Sequence, residues 1–213
     1  MKQYSTYIFD LDGTLLDTLQ DLAVSVNYAL RQCSMPERTL DEVRQFVGNG
    51  VRMLMKRAVP QGEDNPRFQE AFDIFRSHYL EHSLDTTAPY PGIMEMLFRL
   101  KASGKRMAVV SNKFDTATKE LIGHFFGELI EVAIGENEAA GVRKKPAPDT
   151  VNEALHQLGV GKEDAVYVGD SDVDLQTARN SGLPCISVLW GFRDRSFLQD
   201  QGAMVFVDSP ENI

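Results

Sequence analysis

The amino-acid sequence predicts an α/β fold: a doubly wound, mostly parallel sheet whose first strand is followed by an inserted domain of four helices. Two observations support this prediction. Short apolar runs alternate with stretches of helical periodicity along most of the chain, and one long interval contains helical patterns alone. Alternating strands and helices are typical of doubly wound α/β proteins, because the helices cover the faces of a parallel sheet.

Six runs are predicted to be the strands of this sheet. Each is about five or six residues long, and most are rich in valine or isoleucine. That composition is typical of strands buried on both faces of a parallel sheet. The runs are YSTYIF (4–9), RMAVVS (106–111), EVAIG (131–135), AVYVG (165–169), CISVLW (185–190) and AMVFV (203–207).

Helices are predicted between these strands from periodicity and from end signals. Apolar residues over 93–100 recur at helical spacing. Thr150 and Glu153 match a capping box at the start of another helix. Ser171 is predicted to be the N-cap of a third helix, which Gly182 ends.

One interval breaks the alternation, because nearly a hundred residues separate the first two strands and most of them have helical patterns. A single crossover helix does not need that length. We therefore predict a helical domain at 17–86, inserted into an α/β core formed by 1–16 and 87–213, with the prolines of TTAPYPG (86–92) in the linker. The four helical stretches are DTLQDLAVSVNYALRQC, TLDEVRQFV, GVRMLMKRAV and RFQEAFDIFRSHYLEH.

The composition limits the classes of partner. The chain has 213 residues, a net charge of −9 and a pI near 4.9, and an acidic surface repels nucleic acid. No stretch approaches the roughly 20 apolar residues of a membrane span, and Asp10 interrupts the first apolar run too early for a signal peptide. Cys33 and Cys185 lie far apart, as expected of reduced thiols in a cytoplasmic protein. Both monomer and homodimer are compatible with this sequence.

Polar residues follow or end three of the predicted strands. Asp10 comes directly after the first strand, Ser111 ends the second, and Asp170 comes directly after AVYVG. Ligands bind beyond the carboxyl ends of the strands in open parallel sheets. The carboxylates of Asp10, Asp170 and Asp174 would suit a hard divalent cation such as Mg²⁺, which also makes a cluster of like charges tolerable.

A phosphate site is predicted at the same edge. Lys145 lies in KKPAPD (144–149), where prolines restrict the backbone and would position a lysine well. Lys145, Thr14, Ser111 and backbone N–H groups are the kinds of donor that bind phosphate.

Four short motifs, in order along the chain, resemble those of the haloacid dehalogenase superfamily. DLDGT (10–14) resembles its first motif, Ser111 the second, Lys145 the third, and GDSDVD (169–174) the fourth. The resemblance implies a phosphatase with a Rossmann-like core and a helical cap. Within the superfamily, the chain is most similar to the phosphoglycolate phosphatase group. Lys144 precedes Lys145 in tandem, and Lys145 is assigned to the third motif because it directly precedes a proline.

The resemblance also implies roles for individual residues. Asp10 would attack phosphorus and form an aspartyl-phosphate, and Asp12 would protonate the leaving oxygen and then deprotonate the hydrolytic water. Lys145 would neutralise developing charge. Mg²⁺ would be held by Asp10, Asp12 through its backbone carbonyl, Asp170 and Asp174. The substrate phosphate would be bound by Thr14, Ser111, Asn112 and Lys145.

The inserted domain would close over the site and select the substrate. Gly48, Asn49 and Gly50 lie between two of its predicted helices, and Arg52 follows them. These four residues are predicted to meet the leaving group. Lys113, which follows Ser111 and Asn112, is a further residue that would face the site.

Several alternatives remain open at this stage. Relatives with the same core hydrolyse pyrophosphate, nucleoside monophosphates or sugar phosphates, and phosphomutases return the phosphoryl group to a sugar. Dehalogenation by attack of Asp10 on carbon is disfavoured, because it needs neither Asp12 nor a metal. A catalytically silent phosphate-binding protein is disfavoured, because every catalytic residue type is present. The substrate expected first is a small phosphorylated metabolite, 2-phosphoglycolate.

Overall fold

The structure is a computed structural model that describes residues 4–137 and 141–213. It divides into two compact units: a core unit, Met1–Leu16 with Pro89–Ile213, and a helical unit, Asp17–Ala88. The strands are β1 (Thr6–Phe9), β2 (Leu16–Asp17), β3 (Ala88–Pro89), β4 (Arg106–Phe114), β5 (Val132–Glu136), β6 (Ala165–Gly169), β7 (Cys185–Val188) and β8 (Phe206–Val207). The α-helices are α1 (Leu19–Gln32), α2 (Leu40–Phe46), α3 (Val51–Ala58), α4 (Phe68–His82), α5 (Ile93–Ala102), α6 (Asp115–Phe125), α7 (Asp149–Leu158), α8 (Asp172–Ser181) and α9 (Arg195–Asp200).

The core unit is built on a six-stranded sheet with the strand order β5-β4-β1-β6-β7-β8. The described pairings between these strands are all parallel. The predicted doubly wound α/β fold is therefore confirmed. The short strands β2 and β3, in the two segments that link the units, form a separate two-stranded sheet.

The central strands explain why their sequences are apolar throughout rather than alternating. β1 lies between β4 and β6, and every residue of β1 and β6 is buried. One face of the sheet packs against α7, whose Val151, Ala154 and Leu155 join a cluster with Ile8 and Tyr167. The register aligns Phe9 with Val109 and Val168, so the chain leaves all three strands at the same edge.

Four predicted strand boundaries in the core unit are wrong by two residues or more. The first strand begins at Thr6 rather than at residue 4, and the strand predicted at 185–190 ends at Val188. The second strand does not end at Ser111 but continues to Phe114, because the pairing of β4 with β5 breaks after Val110 and resumes between Phe114 and Glu136. The last predicted strand shrinks to Phe206–Val207, because β8 lies at the sheet edge and pairs only with β7 over that length.

One predicted helix cap is wrong and another is confirmed. α7 begins at Asp149 after Pro148, so Thr150 lies inside the first turn, where its hydroxyl cannot cap the helix. Ser171 is the N-cap of α8 as predicted: its side chain accepts from the Asp174 N–H, and the Asp174 side chain accepts from the Ser171 N–H. Gly182 ends α8 in the left-handed conformation.

The helical unit contains α1 to α4, with α1 packed against α4. Its core is apolar and includes the fully buried side chains of Leu30, Leu54, Met55, Phe75 and Tyr79. Across the described ranges, no helix combines the length and the apolar character that crossing a membrane requires.

Candidate active site

The loop after β1 places two carboxylates at the sheet edge. Asp10 extends the pairing of β1 with β6 by one hydrogen bond, because its N–H donates to the Val168 carbonyl at 2.9 Å. The chain then turns tightly, and the N–H groups of residues 14–16 all donate to the Leu11 carbonyl. Gly13 has φ +87°, and a Cβ there would lie 2.8 Å from Cγ of Asp170. Only glycine fits this turn, because the backbone passes directly against the neighbouring carboxylate.

The loop after β6 supplies two further carboxylates. Asp170 follows the strand directly, and Asp174 lies in the first turn of α8. A Cβ at Gly169 would lie 2.7 Å from Oδ2 of Asp174, so this glycine also permits a close approach. Oxygen atoms of Asp10, Asp170 and Asp174 lie within 4.8 Å of one another, and all three residues are buried.

Lys145 is the cation that faces this cluster. Its Nζ lies 2.6 Å from Oδ1 of Asp10 and 2.9 Å from Oδ1 of Asp174. The Asn112 amide fixes the Lys145 backbone, because Oδ1 accepts from the Lys145 N–H at 2.8 Å and Nδ2 donates to its carbonyl at 3.0 Å. Of the two tandem lysines, Lys145 is the one that the structure places at Asp10, whereas Lys144 is only half-buried.

The electrostatics of the cluster are those of a site with an excess of negative charge. Burial, and then the charge of Asp174, raise the pKa of Asp10 well above its usual value, although Lys145 opposes the shift. The same two causes raise the pKa of Asp170 to about 7, against a hydrogen bond from the Phe192 N–H. Burial alone would lower the pKa of Lys145, but Asp10 and Asp174 outweigh it and raise the pKa. The charges of Lys145 and Arg193 therefore do not outweigh the burial and mutual repulsion of these carboxylates.

These residues fit a divalent cation. All the ligand atoms on offer are oxygens, which hard cations such as Mg²⁺ prefer. The pKa values of Asp10 and Asp170 are raised because charging both carboxylates is unfavourable in the absence of a metal ion. The two oxygens of Asp174 are already engaged, Oδ1 by Lys145 and Tyr167 and Oδ2 by Ser171. The oxygens of Asp170 and Oδ1 of Asp10 also accept hydrogen bonds, so engagement does not rank the three carboxylates, and all three offer oxygens to a metal at this edge.

Asp170 is oriented from the opposite side by the segment after β7. Its Oδ2 accepts from the Phe192 N–H at 2.7 Å, and its Oδ1 accepts from the Thr14 hydroxyl at 3.2 Å. The indole N–H of Trp190 donates to the Thr14 carbonyl at 2.9 Å, which ties this segment to the loop after β1. Thr14, predicted to bind phosphate, thus contacts the Asp170 carboxylate in the structure.

The irregular end of β4 brings a third group of residues to the edge. The Ser111 hydroxyl oxygen accepts from the Lys113 N–H at 3.1 Å. The Lys113 ammonium lies 3.0 Å from Oδ1 of Asp12. The side chains predicted for the core site thus fall into two sets of contacts within one unit. Asp12 and Ser111 both contact Lys113. The other set is formed by Asp10, Thr14, Asn112, Lys145, Asp170 and Asp174.

The residues predicted to select the substrate lie in the helical unit, which is a compact unit of its own. Gly48 and Gly50 have positive φ, consistent with a turn between α2 and α3. Oδ1 of Asn49 accepts from Arg57 at 2.8 Å. Arg52 pairs with Glu63 at 2.8 Å and lies over the rings of Phe68 and Phe72. Asn49 and Arg52 thus have partners inside this unit, and their role in specificity stays a prediction.

Tyr167 is a site residue that sequence reasoning missed. It lies within β6, and its hydroxyl donates to Oδ1 of Asp174 at 2.9 Å and accepts from Nζ of Lys145 at 3.1 Å. Burial, and then the charges of Asp174 and Asp10, raise its pKa well above the usual value, so it stays a neutral donor. The available signal was a single phenol in the otherwise apolar run AVYVG, three residues before a predicted site aspartate.

Comparison with protein families gives one extensive match. Residues 7–188 match the family model described as haloacid dehalogenase-like hydrolase. A curated protein of Aquifex aeolicus named phosphoglycolate phosphatase is 34% identical over 187 residues, which cover 87% of this chain and 84% of that protein. A phosphoglycolate phosphatase of Pseudomonas syringae pv. tomato is 34% identical over 208 residues, which cover 94% of this chain and 75% of that protein.

A solved structure is similar over nearly the whole chain. The crystal structure of a candidate phosphoglycolate phosphatase from Lactobacillus delbrueckii subsp. bulgaricus superposes with a TM-score of 0.94 at 36% sequence identity. The superposition covers 99% of this chain and 97% of that one. The fold seen here is therefore shared with an experimentally determined structure.

Proposed function

The chain belongs to the haloacid dehalogenase-like hydrolase family, and we propose that it hydrolyses a small phosphate monoester through an aspartyl-phosphate on Asp10. Our first candidate for the substrate is 2-phosphoglycolate. The observation that carries this proposal is the pairing of Asp10 with Lys145 at the edge of the acidic cluster, with Asp12 two residues further along the same loop.

Asp10 suits the part of the nucleophile. An oxygen of its carboxylate would attack phosphorus in line, and the bond from phosphorus to the leaving oxygen would break. Lys145 favours the charged, nucleophilic form of Asp10, because its ammonium lies 2.6 Å from Oδ1.

Asp12 suits the part of the acid and base. It is only half-buried, in contrast to Asp10, and would donate a proton to the leaving oxygen as the ester bond breaks. The same carboxylate would then take a proton from the water that hydrolyses the aspartyl-phosphate. The two carboxylates thus divide nucleophilic and proton-transfer chemistry between them.

The remaining core residues would bind or orient the phosphoryl group. Ser111 accepts one hydrogen bond and keeps its own hydroxyl hydrogen to donate to a phosphate oxygen. Lys145 would neutralise charge that develops on the phosphoryl oxygens. Asn112 would act by fixing the Lys145 backbone, and Thr14 by orienting Asp170, because those are the contacts that their side chains make.

Asp10, Asp170 and the backbone carbonyl of Asp12 would hold Mg²⁺, supported by Asp174. When bound, the cation supplies positive charge that polarises the phosphate and stabilises the transition state. This assignment rests on the oxygen-only donor set and on the excess of buried negative charge.

The names of the relatives support 2-phosphoglycolate as the substrate. The helical unit would act as a cap that selects it, with Gly48, Asn49, Gly50 and Arg52 as the candidate residues.

The test is phosphate release from a panel of equal concentration: 2-phosphoglycolate, pyrophosphate, a nucleoside monophosphate and a sugar phosphate, each with Mg²⁺ and with EDTA. We expect the highest kcat/KM with 2-phosphoglycolate and loss of activity in EDTA. Comparable rates on all four would support the phosphatase but contradict the substrate. Conversion of the sugar phosphate to an isomer without phosphate release would contradict hydrolysis and indicate a mutase.

A further inference from the structure

Lys113 is a second buried lysine at the site, and the reaction proposed above gives it no part. Its side chain is only 1% exposed, and its ammonium lies 3.0 Å from Oδ1 of Asp12, whose side chain is 16% exposed. Lysine is almost never fully buried unless its charge is paired, because removing the ammonium from water is costly. The pairing with Asp12 thus holds a buried ammonium beside the more exposed of the two aspartates in the loop after β1.

The local backbone is built to place this side chain. β4 loses its pairing with β5 between Val110 and Phe114, and Lys113 lies in that irregular stretch. Gly135 on β5 makes room for it, since a Cβ there would lie 2.8 Å from the Lys113 carbonyl oxygen. Asp115 fixes the same segment, because its Oδ1 accepts from the Gly135 N–H at 3.0 Å.

The two lysines of the site face different reacting groups. Lys145 contacts Asp10 and Asp174, on the side of the proposed nucleophile. Lys113 contacts Asp12, on the side where the leaving oxygen would receive its proton. Positive charge is thus present on both sides of the bond that would break. Lys145 already supplies it at the nucleophile, so Lys113 is the lysine left for the side of the leaving group.

We infer that Lys113 binds a carboxylate on the leaving group of the substrate and so selects phosphates of small 2-hydroxy acids. The inference rests on the proposed function and names a substrate class for it. In such a substrate, one carbon separates the ester oxygen from the carboxylate. An ammonium in contact with Asp12 is therefore close to that carboxylate whenever Asp12 is close to the ester oxygen. A charge-assisted hydrogen bond would form between them.

Charge balance supports the same assignment. A phosphorylated hydroxy acid adds a carboxylate to the phosphate charge, and the site already contains the carboxylates of Asp10, Asp12, Asp170 and Asp174. The second anionic group of the substrate would be repelled at this edge unless a cation faced it. Lys113, paired with Asp12, provides that cation on the side of the leaving group, and Lys145 lies on the side of Asp10 and Asp174.

The first test uses the unaltered protein and three substrates of equal length: 2-phosphoglycolate, 2-hydroxyethyl phosphate and phosphoethanolamine. Their leaving groups carry a carboxylate, a neutral hydroxyl and an ammonium. We expect kcat/KM to fall in that order, by about tenfold or more from the carboxylate to the hydroxyl. Equal values for the first two would overturn the inference while leaving the phosphatase intact.

The second test replaces the lysine. In Lys113→Met the ratio of kcat/KM for 2-phosphoglycolate to that for 2-hydroxyethyl phosphate should fall about tenfold or more, and Lys113→Arg should retain most of it. The matched control is Lys101→Met, which removes an exposed lysine paired with Glu131. An equal loss on both substrates in Lys113→Met would contradict carboxylate binding and indicate that the lysine serves only Asp12.

A binding measurement separates recognition from chemistry. In an Asp10→Asn background, which should not turn over, the Kd for 2-phosphoglycolate should rise on Lys113→Met while that for 2-hydroxyethyl phosphate changes little. Unchanged binding of both ligands would overturn the inference. If the unaltered protein released phosphate from none of the substrates, the proposed function itself would be wrong, which is a distinct result.

Discussion

Two buried aspartates, Asp21 in the helical unit and Asp170 in the core unit, have opposite surroundings. The carboxylate of Asp21 accepts from both N–H groups and both hydroxyls of Thr86 and Thr87, at 2.5 to 3.1 Å. Burial would raise its pKa, but these bonds outweigh burial and lower it. Asp170 accepts from the Phe192 N–H and the Thr14 hydroxyl, yet burial and Asp174 raise its pKa to about 7.

The contrast distinguishes a buried carboxylate that its donors stabilise as an anion from one that its surroundings disfavour as an anion. Asp21 has enough donors around it to be stable as an anion, so it connects α1 to the segment that leads out of the unit. Asp170 lies among other carboxylates, and its two hydrogen bonds and the charge of Arg193 do not outweigh burial and Asp174 in setting its pKa, so it is suited to receive a cation. Burial alone does not distinguish the two, whereas the balance of donors and like charges does.

The largest expected effect is on the nucleophile. Asp10→Asn should lower phosphate release by at least about a thousandfold, because the amide cannot form the covalent intermediate. Circular dichroism should show an intact fold. Asp21→Asn is the matched change in the other unit and should retain most of the wild-type kcat. A rate near wild type in purified Asp10→Asn would contradict the assignment of the nucleophile.

The comparison is sharpened by removing each buried aspartate. Asp21→Ala should lower the free energy of unfolding by about 2–4 kcal/mol, because four donors lose a buried acceptor. Asp170→Asn should leave the metal-free protein as stable as wild type or more so, because it removes a like-charge repulsion. Denaturant unfolding in EDTA measures both. Equal losses in the two variants would refute the distinction between them.

A smaller effect is expected from Tyr167, which links Lys145 and Asp174. Tyr167→Phe removes only the hydroxyl and should lower kcat/KM about tenfold, because both neighbours lose one hydrogen-bond partner. Tyr7→Phe, in the neighbouring strand β1, is the control for loss of a buried phenol. If both variants have wild-type kinetics and an unchanged pH profile, the Tyr167 hydroxyl is only a packing group.

The smallest effect is a pH dependence of stability. With a pKa of about 7, Asp170 is charged in about one molecule in ten at pH 6 and nine in ten at pH 8. The pKa of Asp170 is higher in the folded than in the unfolded protein, so its protonation stabilises the fold at low pH. That stabilisation is complete below the unfolded-state pKa and is lost as the pH rises through about 7. Mg²⁺ should offset that loss, so the gain in Tm on its addition should be greater at pH 8 than at pH 6 by about 2 °C or more.

Asp21 provides the internal reference for that experiment. Its folded-state pKa is lowered, so its stabilising contribution is lost only as the pH falls below the ordinary range of a carboxyl. Asp21→Ala should therefore lower Tm at pH 6 and pH 8 alike and leave the difference in the Mg²⁺ response unchanged. Asp170→Asn should reduce that difference. The opposite pattern would contradict the pKa directions assigned to the two residues.

Sequence reasoning was most successful where one local signal decides the structure. The apolar runs of β1 and β6 and the polar residues that follow them predicted both the sheet and the edge where Asp10 and Asp170 meet. The family resemblance and the prediction of a hydrolytic enzyme are confirmed by the family match over 7–188 and by the phosphatases among the relatives.

The features that sequence reasoning missed depend on contacts between distant segments. The break in β4 depends on how β5 pairs with it, and the Asp21 cluster joins residues 65 positions apart. The contacts of Arg52 with Glu63 and two phenylalanines likewise require the packed helical unit. Roles of single residues, the capping function of the helical unit and a cytoplasmic location stay predictions.

The central claim is that the core carboxylates hold a divalent cation that the buried aspartate of the helical unit does not need. Calorimetric titration of Mg²⁺ at pH 7.5, into wild type, Asp170→Asn and Asp21→Asn, tests it most directly. We predict one binding site in wild type and in Asp21→Asn, and no measurable binding in Asp170→Asn. Equal binding by all three proteins would contradict the account.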